Sequence, residues 1–229
     1  MSNAGKASRG EVDVWWRIAR STVAMFFRLA FRIRFVGLER LPPAGPALLA
    51  CNHVSVLDPV FIGIGVSDRA RIVRFLAAAE AFRIPVIGWS LRMIRQIPIR
   101  RGARDREALD TAAAVIRQGG LAGIFPEGQV NAVSAEPARG QKGAARLALA
   151  AGVPVVPLAI WGTQVRWPRG GLRLRPPWRP EVAVVVGWPM ETHGDPRDPW
   201  AVRELTERMM QEIAELLEEA KRRAPNRPR

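Results

Sequence analysis

Large apolar residues crowd the stretch 12–34, with Trp15, Trp16, Ile18, Met25, Phe26, Phe27, Leu29, Phe31 and Ile33 interrupted by Arg17, Arg20, Arg28 and Arg32. The stretch reads as an amphipathic helix at a membrane interface: rings enter the headgroup boundary and guanidinium groups meet lipid phosphate. Beyond it, short apolar runs alternate with helical stretches. Strands are expected near 34–36, at 47–51, 72–77, 96–99, 121–125, 153–160 and 182–186. The helices between them start at Asp58-Pro59 and span 85–93, 104–117 and 141–151, with a helical turn around Glu80. An amphipathic helix over 199–223 closes the pattern. Asp at an N-cap followed by Pro at the first helical position suits the start at residue 58. Gly119-Gly120 and Gly152 supply stops. This alternation predicts an α/β domain with a mostly parallel central sheet flanked by helices. The expected organisation is an N-terminal amphipathic segment, 1–34, an α/β domain, 35–223, and a frayed tail, 224–229.

Composition adds a partner class. The chain has 229 residues and a formal net charge of +14, carried almost wholly by arginine, since Lys6, Lys142 and Lys221 are its only lysines. Such a charge attracts polyanions: nucleic acid, anionic lipid or phosphorylated substrates. Zinc-finger spacing and RNA-binding aromatic motifs are missing, so no specific nucleic-acid partner is expected. The single cysteine, Cys51, forms no intrachain disulfide. No run reaches the roughly 18 apolar residues of a spanning helix, and no secretory signal is expected. His and Cys do not cluster, so no metal is expected. Oligomeric state is not legible.

Candidate chemistry centres on Asn52-His-Val-Ser-Val-Leu-Asp58, directly after the apolar run 47–51. His is the side chain suited to moving a proton near neutral pH. A carboxylate beside it fixes the tautomer and stabilises the imidazolium. A five-residue spacing does not align two groups on one helix face. The pair works if His53 lies on the loop and Asp58 opens the helix. Asp58 serves equally as a plain N-cap, and His53 as a hydrogen-bonded core residue. Cys51 shares a strand face with His53, so a Cys-His nucleophile is a third reading. Arg100 and Arg101 end an apolar strand, where parallel sheets bind ligands, and guanidinium forks match phosphate. Glu127, in Phe125-Pro-Glu-Gly128, can take a substrate hydroxyl or orient the arginines. Lys142, opening a helix, is a further candidate phosphate contact. Each of these also reads as an ordinary surface or turn residue.

Four blocks in this order resemble the glycerophospholipid acyltransferase family, in particular the 1-acylglycerol-3-phosphate acyltransferases, over residues 35–190. Asn52–Asp58 resembles its His-x4-Asp block, and Ile97-Pro-Ile-Arg-Arg-Gly102 its second block, associated with acceptor phosphate. Phe125-Pro-Glu127-Gly128 resembles the third, which also serves the acceptor. Val153-Pro-Val-Val-Pro157 resembles the fourth, linked to the acyl pocket. The resemblance implies acyl transfer from acyl-CoA or acyl-ACP to the free hydroxyl of a lysophospholipid, in phospholipid biosynthesis. It implies His53 as base, Asp58 as its orienting partner, and Arg100, Arg101, Glu127, Gly128 and Lys142 as substrate contacts. No bound cofactor is implied. The setting it implies is peripheral, on the cytoplasmic face of the cell membrane. The third block departs from the family: Gly128 is followed by Gln129-Val130-Asn131, where the family's glycine is followed by Thr-Arg-Ser, so an arginine is missing there. Two further readings follow, the same chemistry on a different lysolipid or alcohol, and a catalytically silent lipid-binding relative. Backbone N–H groups at the start of the helix after Asp58 are the candidate oxyanion donors.

Overall fold

The computed structural model describes residues 14–93, 96–99, 105–131, 137, 139–168, 171–174 and 176–225, except the side chains of 14–20, 78, 99, 105, 106 and 108. Helix α1 (Val14–Ala30) leads into β1 (Arg32–Val36). The expected helix over 12–34 is therefore too long. It stops at Ala30, and Ile33 belongs to a strand whose Arg32–Val36 register runs parallel to Glu181–Val185. The order continues β2 (Ala47–Cys51), α2 (Asp58–Asp68), β3 (Val73–Ala78), α3 (Pro85–Met93), β4 (Ile97–Ile99), α4 (Asp105–Arg117) and β5 (Leu121–Ile124). It closes with α5 (Gly143–Ala151), β6 (Val155–Trp161), β7 (Glu181–Val186) and α6 (Pro199–Arg223). The helical turn expected at Glu80 is the 3-10 turn Ala79–Arg83.

The sheet runs β1-β7-β6-β2-β5-β3-β4. Every described pair is parallel except β6 with β7. Alternation along β2 divides the core into two layers. Ala47, Leu49 and Cys51 face Val23 and Phe27 of α1, Phe61 and Ile64 of α2, and Ile87 and Leu91 of α3. Leu48 and Ala50 face Ala112 and Ile116 of α4, Ala145 and Ala148 of α5, and Met209 and Ile213 of α6. A strand covered on both faces needs an uninterrupted apolar run, and 47–51 is one. Gly123 sits where β5 passes under Phe75: a Cβ there would lie 2.5 Å from the Phe75 ring. A larger residue would push that ring out of the layer.

The parallel register decides what meets at the sheet's upper rim. Ala50 pairs with Ile124 and Cys51 with Leu158. Residues three past each of the first pair, His53 and Glu127, thus leave the sheet side by side. β6 leaves on the other side of β2 and carries Thr163 to the same rim. Ligands of open α/β sheets bind outside these carboxyl ends.

Candidate active site

Between β2 and α2 the chain turns sharply, and Asp58 holds the turn closed. Its Oδ2 accepts from Val54 N and Ser55 N, each at 2.8 Å, and lies 2.9 Å from His53 Nδ1. Its Oδ1 accepts from the Thr163 hydroxyl at 2.6 Å. The carboxylate is wholly buried. Asp58 is thus no N-cap: it caps nothing in α2, whose N-cap is Leu57. Its bonds run backward into the turn and across to Thr163, just past the end of β6. An ionised carboxylate only accepts, so His53 Nδ1 carries the hydrogen that faces Oδ2. Nε2 is left with a lone pair on the far side of the ring. The ring stacks on Phe125 at a centroid distance of 3.9 Å and 14° between planes. Phe125 in turn stacks on Phe75 at 4.8 Å. One ring face is therefore dry and fixed, and 16% of the side chain remains open to solvent.

Glu127 supports the His53 turn from below. It is buried, and its Oε1 accepts the His53 backbone N–H at 3.0 Å. It ties the β5 turn to the β2 turn and sets the height of His53 on the rim, so a solvent turn residue is the wrong description of it. The neighbouring backbone adds a second tie, from Asn131 N to His53 O. Gly128 has φ +69, and a Cβ there would run into the Gln141 amide. Only glycine lets the turn pass under Gln141, whose N–H donates to Pro126 O at 2.9 Å. Lys142 precedes α5 and is exposed. It lines a hollow of about 550 Å³ with Arg139, Arg203, Thr206 and Met210, and no member of the His53 cluster lines that hollow. Arg100 and Arg101 lie outside the described residues.

The structure rules out two of the expected roles. The N–H groups at the start of α2 are spent, since Asp58 N bonds Ser55 O, and Val60 N and Phe61 N bond Leu57 O. Residue 59 is proline and has no N–H. Those groups are not oxyanion donors. The Cys51 thiol is no nucleophile either. It is fully buried, and burial pushes its pKa well up, with the Asp58 and Glu127 carboxylates adding to the rise. Cys51→Ala should keep acyl transfer within about threefold, and iodoacetamide should leave the native protein active. Loss of activity on alkylation would show an accessible thiol.

Several residues of the site carried no role in the sequence. Asn52 is buried and stands in for a strand residue: its Nδ2 donates to Ile160 O at 3.0 Å and its Oδ1 accepts from Ile160 N at 2.8 Å. Ser55 Oγ accepts from Leu57 N and donates to Trp167 O at 2.6 Å. Thr163 meets Asp58 from 105 residues away, a separation at which no local pattern signals a partner. Asn52 could have been found, because a polar residue closing a wholly apolar strand must bond something. Among the described residues, no group of three His, Cys, Asp or Glu side chains is placed to hold a metal ion.

The chain is similar to known proteins. A family model described as Acyltransferase matches residues 32–161. A 1-acyl-sn-glycerol-3-phosphate acyltransferase of Chlamydomonas reinhardtii is 31% identical over 160 residues, which are 68% of this chain and 46% of that protein. The chain thus spans less than half the length of that relative. A 1-acyl-sn-glycerol-3-phosphate acyltransferase of Pseudomonas aeruginosa is 27% identical over 212 residues, 91% of this chain and 77% of that one. The crystal structure of the 1-acyl-sn-glycerophosphate acyltransferase PlsC from Thermotoga maritima has the same fold. Its TM-score is 0.67 at 24% identity, over 90% of this chain and 81% of that one. The matched region contains the whole His53–Asp58 turn and the Glu127 turn that supports it, and the chain belongs to the acyltransferase family.

Proposed function

We propose that the protein transfers an acyl group from a thioester, acyl-CoA or acyl-ACP, to the free hydroxyl of 1-acylglycerol-3-phosphate, forming phosphatidate for phospholipid synthesis. The observation that carries this reading is the His53 imidazole, held through Nδ1 by a buried carboxylate, with Nε2 hydrogen-bonded to none of the described residues. Nε2 takes the proton of the acceptor hydroxyl as that oxygen attacks the thioester carbonyl. The tetrahedral adduct expels the thiolate, which recovers the proton from Nε2. Asp58 keeps the tautomer and balances the transient positive charge. No acyl-enzyme forms, and Cys51 is not needed. The names of the relatives support the acceptor. By resemblance alone, Arg100 and Arg101 bind its phosphate, with Gly128 and Lys142 as further contacts. Glu127 acts through the His53 backbone. The protein works as a peripheral enzyme on the cytoplasmic face of the membrane; among the described residues no helix is long and apolar enough to cross it.

Gln129-Val130-Asn131 bears directly on the acceptor, because the family's third-block arginine is missing there. The test is incubation of purified protein with acyl-CoA or acyl-ACP and a panel of lysolipids, with products identified by mass spectrometry. Transfer to 1-acylglycerol-3-phosphate at least tenfold faster than to uncharged or zwitterionic lysolipids is expected. Preference for another acceptor would keep the reaction class and remove the substrate. No transfer to any acceptor would remove both.

A further inference from the structure

The antiparallel pairing of β6 with β7 has a topological effect. β7 starts at the rim where β6 ends, and β1, parallel to β7, also starts there. The β6–β7 connection and the end of α1 therefore lie on the same rim as His53. The connection is built as a braced unit. Arg166 is buried, and its guanidinium donates to Arg173 O, Pro177 O and Trp178 O at 2.8–3.1 Å. Arg173 N returns the bond to Arg166 O. Arg179 Nη2 donates to Arg28 O at 2.9 Å, which fastens the connection to the last turn of α1. Trp167 O accepts from Ser55, which fastens it to the catalytic turn.

This braced unit exposes its apolar side chains. Leu172 is 50% exposed, Leu174 72% and Trp178 69%. Beside it, α1 exposes Met25, Phe26 and Leu29 at 60%, 51% and 66%. Aliphatic and indole groups in such numbers on one rim mark an interaction surface. Its charge selects the partner. Residues 166–180 contain five arginines and no acidic residue. Arg173 and Arg179 are exposed beside the apolar side chains. Apolar side chains that reach outward among exposed guanidinium groups suit an anionic bilayer, where the first enter the acyl boundary and the second meet lipid phosphate. A protein partner of opposite charge would leave Leu174 and Trp178 facing acids.

We propose that Leu172, Leu174 and Trp178 form a lipid-inserting wedge for anionic membranes, separate in the chain from α1 and tied by hydrogen bonds to the catalytic turn. The wedge places the mouth of the His53 site against the bilayer. It does not depend on which lysolipid is acylated, so vesicle binding and acyl transfer fail separately.

Cys51 is buried, so a cysteine introduced at the surface takes a thiol-reactive fluorophore selectively. Leu174→Cys carrying an environment-sensitive nitrobenzoxadiazole dye should shift to shorter wavelength on vesicles with anionic phosphatidylglycerol and be quenched by brominated acyl chains. The same dye on Gln211→Cys, on the outer face of α6, should do neither. The pair Leu174→Glu and Trp178→Glu should weaken vesicle partitioning at least tenfold, while turnover of detergent-dispersed lysolipid stays within twofold of wild type. A dye at 174 that remains water-exposed on vesicles overturns the wedge, as does wild-type partitioning of the double variant. A blue shift that grows with protein concentration without lipid also overturns it, because the surface would then join two copies of the chain.

Discussion

His53→Asn should lower turnover by about 10²–10⁴-fold, the usual contribution of a positioned general base. Asparagine is the informative replacement because its amide nitrogen sits close to where Nδ1 was. It can still donate to Asp58 Oδ2, while nothing occupies the place of Nε2. The remaining loss is the ring contact with Phe125, worth about 0.5–1.5 kcal/mol. For a chain of this size that is a fall of roughly 1–6 °C in melting temperature. Kinetics on the lysolipid panel together with a thermal melt separate the two effects. A variant that folds and turns over at the wild-type rate would remove His53 as the base.

Asp58 distinguishes a scaffold from a charge, so it calls for two variants. Asp58→Ala removes the acceptor of four donors: two backbone N–H groups, the imidazole and the Thr163 hydroxyl. Each buried donor left without a partner costs about 1–3 kcal/mol, so the alanine variant should melt about 10 °C or more below wild type. It should also be inactive. Asp58→Asn keeps a carbonyl oxygen for the turn and a nitrogen that the Thr163 hydroxyl can face as acceptor. It should melt within about 5 °C of wild type and yet lose on the order of 10²-fold in kcat, because the imidazolium no longer has a counter-charge. If asparagine kept full turnover, the carboxylate would be a fastening and not part of the chemistry.

The fold was legible where apolar runs and breakers coincide. The strand over 47–51, the helix over 85–93 and the helix over 199–223 fall where the pattern puts them, because a covered strand or an amphipathic helix is written into consecutive residues. The end of α1 is not legible, since Phe31 and Ile33 continue an apolar run that does not distinguish the end of a helix from the start of a strand. His53 and Asp58 were legible as a pair because five residues and one turn separate them. What surrounds them was not. Glu127 reaches His53 across 74 residues and Thr163 reaches Asp58 across 105. Such meetings follow from strand order, and no pattern in the chain states that β5 and β6 both border β2. The bond from the His53 backbone N–H to Glu127 is therefore one that the motif does not announce.

The clamped imidazole has a consequence for the order of events. Phe125 covers one ring face and Asp58 grips Nδ1, so the ring cannot turn over to exchange its nitrogens during a reaction. The proton taken from the acceptor and the proton returned to the departing sulfur pass through the same atom. In the proposed reaction the alcohol oxygen and the thioester sulfur must therefore both come within reach of Nε2, on the one open side of the ring. Two lipid-bearing molecules have to be held together in a ternary complex before either bond changes, and neither can leave its acyl chain behind for the other to collect.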